Sequence, residues 1–84
     1  MSVAEALQQQ IDGLRKTLVG LANVPDALEE HVFGALQGLA VGLTHRALEA
    51  LGERDGLRQV QVLMETFVRV AERDGRELPT NWLS

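Results

Sequence analysis

Apolar positions recur at steps of three and four in three successive stretches of the chain. Between residues 3 and 22, Val3, Leu7, Ile11, Leu14, Leu18 and Leu21 fall on one helical face. Gln8, Gln9, Asp12, Arg15 and Lys16 fill much of the remaining surface. Beside the stripe, Ala6, Gly13 and Gly20 recur every seven residues as a line along which another helix can approach closely. The next stretch follows Asn23-Val24-Pro25-Asp26. Proline disfavours the helical region for the residue before it but suits the first helical position itself, so a second helix is expected from Pro25. Asp26, Glu29 and Glu30 then lie in its first turns, where the helix dipole favours carboxylates. Its apolar line runs through Leu28, Val32, Ala35, Leu36, Leu39, Leu43, Ala47 and Ala50 to Leu51, with Gly52 placed as a left-handed cap. Unbroken, this helix is about 40 Å long at 1.5 Å per residue.

Asp55 is suited to cap a third helix, in which Leu57, Val60, Met64, Phe67 and Ala71 form the repeat, widened by Leu63, Val68 and Val70. Glu65 and Arg69 have the spacing of a favourable i,i+4 pair on the other side, and Asp74-Gly75 ends the pattern. No strand pattern competes, because the single alternation, Gln59-Val60-Gln61-Val62, is embedded in the longer helical period. Short connections make sequential helices antiparallel neighbours. The predicted fold is all-α: a three-helix up-down-up bundle over residues 1–75, with helices at about 3–22, 25–51 and 55–74. A short tail with proline and tryptophan, residues 76–84, packs on the bundle or on a partner.

Composition narrows the function classes. Eighty-four residues make one small domain, and 45% hydrophobic against 24% charged residues is enough to fold around a core. Twelve acidic against eight basic side chains leave a net charge of −4, opposite to the footprint of a phosphate-backbone binder, so nucleic acid is an unfavoured partner. The absence of cysteine removes disulfides, thiol chemistry and thiolate zinc sites, and fits a cytoplasmic protein. Neither a signal peptide nor a membrane span is expected, since no basic segment precedes an apolar run and no stretch approaches 18 uninterrupted apolar residues. Seven arginines against one lysine, with abundant Ala, Val, Gly and Leu, are associated with GC-rich bacterial or phage genomes.

Helix 2 carries the most unusual pattern. Gly34, Gly38 and Gly42 stand four apart on the side away from Leu36, Leu39 and Leu43, and each costs about 1 kcal/mol relative to alanine. Ala27, His31 and His45 share this second face, with Val41 and Leu48 on its flanks. Glycines at this spacing allow backbones to touch, either with another part of the same chain, such as the Ala6-Gly13-Gly20 line, or with the same stripe on a second copy. A break in helix 2 near Gly42-Leu43-Thr44 is the third option. In the self-contact version, a two-fold axis near Gly38 sets Gly34 against Gly42 and His31 against His45 of an antiparallel copy. Such a dimer weakens as pH falls and facing imidazoles become charged together, unless Glu30 or Glu49 compensates. The candidate seam is therefore His31, Gly34, Gly38, Val41, Gly42 and His45.

Catalytic chemistry finds no foothold. His31 and His45 are about 21 Å apart along one helix, and the positions three residues before them hold Leu28 and Gly42, not the carboxylates of helical metal sites. No metal or cofactor is expected. Thr44 and His45 point about 100° apart, so their adjacency makes no dyad, and Glu29-Glu30 serves the helix dipole better than acid/base work. No phosphate loop, dinucleotide fingerprint or paired-cysteine motif occurs, and enzymatic activity is not expected. Arg54, Arg58, Arg69, Arg73 and Arg76 cluster late in the chain, interleaved with Glu53, Glu65, Glu72 and Asp74 as a solvated face. In the tail, Leu78, Trp82 and Leu83 either cover the open end of the bundle or anchor a partner. The reading that follows is a small acidic protein–protein interaction module, itself a homodimer, acting as adaptor, inhibitor or regulator of another protein. A helix-turn-helix nucleic-acid regulator and a chaperone or small subunit of an obligate hetero-complex are the alternatives.

Overall fold

The computed structural model describes residues 2–78 and, over them, is all-helical, with two helices and no strand. α1 spans Val3–Ala22, as the apolar repeat predicts. Ser2 caps it, its hydroxyl accepting the Glu5 amide at 3.1 Å, which satisfies one of the free N–H groups of the first turn. Leu7, Ile11, Leu14 and Leu18 are its buried face, while Val3, at the first helical position, is exposed.

α2 spans Glu30–Asp74. Straight, its 45 residues would reach about 67 Å at 1.5 Å per residue. The longest dimension of the molecule is 37 Å, so the helix is folded on itself. The bend is a single residue: Gly52, at φ 83° and ψ 170°, is the only non-helical position inside α2. The helices expected at 25–51 and 55–74 therefore run into one another as two limbs, residues 30–51 and 53–74. Gly52 is not the left-handed cap the sequence suggests, because its ψ is extended. That region is accessible essentially to glycine alone and turns the chain back without a connecting loop. Asp55 consequently lies inside the second limb and not at its cap.

The start of α2 also departs from expectation. Pro25 sits in a turn, not at a helix start. Asp26 adopts φ 63°, a left-handed conformation that aspartate tolerates better than most residues. Residues 23–28 form turns and bends that swing Leu28 into the core, and the helix begins only at Glu30, with Glu29 at the cap position making no side-chain cap bond. The other end follows the sequence: Gly75, at φ 67° and ψ 29°, closes α2, with the Arg76 amide donating to the Ala71 carbonyl at 2.8 Å.

Contacts along the limbs make them antiparallel. At the bend, Gly56 is buried against the backbone of Ala47 and Leu48, and at the far end the Phe33 and Phe67 rings lie 5.7 Å apart. α1 runs alongside the second limb in the same direction, with Gln59 Nε2 donating to the Ala4 carbonyl and Arg73 Nη2 to the Ala22 carbonyl, each at 2.7 Å. One core joins the three segments, with Ile11, Leu18, Ala40, Ala47, Val60, Leu63 and Phe67 essentially inaccessible. Leu28, Leu36, Leu43 and Ala47 of the expected face are buried, but Phe33, Ala40 and Thr44 are inside as well, and Leu39, 58% exposed, is outside with Ala35 and Ala50. Buried Thr44 and Thr66 donate their hydroxyls to the carbonyls four residues back, Ala40 and Val62, which removes the cost of hiding them.

Candidate interaction surface

The glycine line is not filled by the chain. Gly34 and Gly38 are exposed and Gly42 half-buried, and a Cβ built on any of the three meets nothing within 4 Å. Gly13 and Gly20 on α1 are equally open, so neither small-residue line serves as an intramolecular contact. The packing reading of these glycines within one molecule is thereby corrected: each segment finds its neighbours through the opposite, large-residue face. The first limb stays helical across Gly42-Leu43-Thr44, and its break comes ten residues later at Gly52. His31 is exposed, its Nδ1 3.5 Å from a Glu29 carboxylate oxygen. His45 is half-buried, with Nε2 enclosed and without a hydrogen-bond partner, and Val41 packs against the core. Of the tail, Leu78 packs against the core, while Trp82 and Leu83 lie outside the described residues.

The surface that does stand out lies on the second limb. Leu57, Met64 and Val68 are spaced by seven and four, which places them on one side of a helix, and Gln61 falls between them on the same line. The sequence reads these residues as core. In the structure Leu57 and Met64 are only half-buried and Val68 is 42% exposed, because Val60, Leu63, Phe67, Val70 and Ala71 fill the core-facing side. The strip forms the floor of a shallow groove of about 720 Å³, and Arg54, Arg58, Glu65 and Arg69 form its rim. Among the described residues the other large exposed apolar side chains, Val3, Val19, Val24, Leu39 and Val62, are scattered over the other elements and the flank of this limb, as is normal for a folded surface.

The arginines divide by what they touch. Arg73 and Arg76 close the molecule: Arg73 holds the Ala22 carbonyl and the Asp74 carboxylate, and Arg76 donates to the Leu28 carbonyl while its guanidinium lies 5.2 Å from the centre of the Phe33 ring. The hydrogen bond from Arg73, aided by the charges of both arginines, holds the Asp74 carboxyl below the usual carboxylate range against an opposing desolvation. Arg54, Arg58 and Arg69 have no carboxylate within 4 Å among the described residues. Glu65 does not pair with Arg69 as their spacing suggests; it accepts instead from Gln61 Nε2 at 3.1 Å. The groove is therefore an apolar floor beside cations with spare hydrogen-bonding capacity, on a protein whose net charge is negative.

Such a surface can hold another helix by apolar contact and by charge-assisted hydrogen bonds at its rim. Among the described residues no three His, Asp or Glu side chains gather as metal ligands, and no helix is long and apolar enough to cross a membrane. Comparison of the chain with protein-family models, curated proteins and solved structures finds no match.

Proposed function

We propose that the chain is a small protein–protein interaction module of the cytoplasm, acting as an adaptor, inhibitor or regulator through the outer face of the second limb of α2. In this reading α1 and the two limbs work as an up-down-up bundle, and the bundle exists to present that face. The observation that carries it is the strip of half-buried Leu57 and Met64 and exposed Val68 beside three arginines that have no carboxylate partner among the described residues. A helix surface used only for solubility pairs its charges along the helix and keeps apolar side chains singly dispersed. The nucleic-acid alternative has less support, since two of the five late arginines are engaged by backbone carbonyls, at the end of α1 and in the turn that follows it, and the net charge is negative.

Site-specific photocrosslinking tests the reading. A benzoylphenylalanine replacing Gln61, in the centre of the groove, is expected to give a discrete protein adduct in extract of the source cell. The same probe at exposed Lys16 on α1 is expected to give none. No adduct at 61, or adducts of equal yield at both positions, contradicts the assignment of this face.

A further inference from the structure

We infer that the groove takes an acidic amphipathic helix of another protein, one that sets apolar side chains on Leu57, Met64 and Val68 and a flanking row of carboxylates against Arg54, Arg58 and Arg69. The inference rests on the reading of this face as a contact surface and adds the chemistry of what covers it. At about 100° per residue, Leu57, Met64 and Val68 fall within about 40° of one another around the limb. Arg54, Arg58 and Arg69 fall within about 60° of one another, all on a single flank of that row. Gln61 lies between the two rows, and Glu65, the one carboxylate of the lining, stands among the arginines with Oε1 taken by Gln61 Nε2. Three cations against one anion leave the rim positive on a chain whose net charge is −4. None of the three has a carboxylate within 4 Å among the described residues, so a partner's carboxylates gain charge-assisted hydrogen bonds without first breaking an internal ion pair. Glu53 and Glu72 stand just beyond the two ends of the lining and confine the acidic row of the partner to the stretch between them.

The floor selects a helix. Backbone groups of the limb are already bonded within α2, so an extended segment laid along it would turn part of its own N–H and C=O groups toward apolar surface, whereas a helix pairs them internally. From Arg54 to Arg69 the limb runs about 22 Å, a length that about four turns of a partner helix cover. A phosphate backbone offers anions but no apolar row for Leu57, Met64 and Val68. The test is a selection on the immobilised full chain with a displayed library of amphipathic peptides of about 18 residues, in which a fixed apolar face is flanked by positions drawing equally on Glu, Gln and Lys. Bound peptides are expected to be enriched in Glu on one flank and depleted of Lys. One of them, titrated by fluorescence anisotropy, is expected to bind Arg58→Glu about tenfold or more weakly than the unaltered chain. Changing a glutamate of its acidic flank to lysine is expected to restore affinity for that variant, and recovery by charge exchange excludes misfolding as the cause of the loss. Selection without a preference for Glu, the return of no binder, or binders indifferent to Arg58→Glu overturns the inference. So does a chain that binds a DNA duplex, or vesicles of phosphatidylcholine and phosphatidylserine, more tightly than the selected peptide, and so does self-association that blocks the peptide. The crosslink at position 61 separates the inference from the reading beneath it. An adduct at 61 whose yield is unchanged by Arg58→Glu, or whose partner segment is basic, overturns the acidic helix alone and leaves the contact surface standing. No adduct at 61 contradicts the contact surface and the inference with it.

Discussion

Gly56 and Gly38 are both helical glycines, yet they answer to opposite physics. At Gly56 a Cβ would stand 2.8 Å from the Ala47 carbonyl oxygen, against backbone that cannot move aside, whereas at Gly38 it would meet open space. Gly56→Ala is therefore expected to destabilise the fold by about 1–3 kcal/mol through overpacking. Gly38→Ala should stabilise it by about 0.5–1 kcal/mol, since it restricts the unfolded chain at no cost in the folded one. Urea unfolding of the two variants separates them, and a stabilised Gly56→Ala contradicts the close approach at the bend. Asp74 supplies a pH-dependent prediction. Its carboxyl is held below the usual range in the folded chain, so its contribution is fully present above about pH 4, where the unfolded chain is also ionised, and disappears as pH falls through the lowered folded value. The stability gap between the native chain and Asp74→Asn should be constant near neutrality and close in acid. A gap that widens in acid reverses the sign and contradicts the account.

At the scale of the elements, α2 depends on one residue holding a conformation that side chains resist. Gly52→Ala is expected to cost about 1–3 kcal/mol and to leave α1 and both limbs helical, measured as a lowered urea midpoint with little change in far-ultraviolet circular dichroism. A variant as stable as the parent contradicts the bend. The sequence foretells the helices better than their junctions. α1 and the Gly75 terminus are legible because apolar period and cap chemistry are local. The start of α2 is not, because burial of Leu28 outweighs the helix-start preference of Pro25, and that gain exists only once the core does. The edge of the first limb's buried face is likewise tertiary: Phe33 packs on Phe67 and Ala40 and Thr44 are inside, while Leu39 is exposed although it belongs to the apolar period of the sequence. The groove floor is visible as Leu57, Met64 and Val68, but periodicity alone cannot tell a wide core face from a core face with a partly exposed apolar strip beside it. Gly56 carries no local signal, since its role arises from the backbone of Ala47 nine residues earlier.

At the scale of the whole molecule, the two faces of α2 differ in what they offer a neighbour. The first limb presents a glycine line with exposed Ala35 and Leu39 beside it, and the second presents half-buried apolar groups beside arginines that lack carboxylate partners among the described residues. Backbone amide spectra of the isotope-labelled chain, recorded alone and in extract of the source cell, locate the contact without altering any residue. Under the proposed function, amide signals along the outer face of the second limb, from about residue 54 to 69, weaken or shift in extract while those of Gly34, Gly38 and Gly42 stay unchanged. Changes centred on the glycine line of the first limb, or spectra that extract leaves unaltered, contradict it.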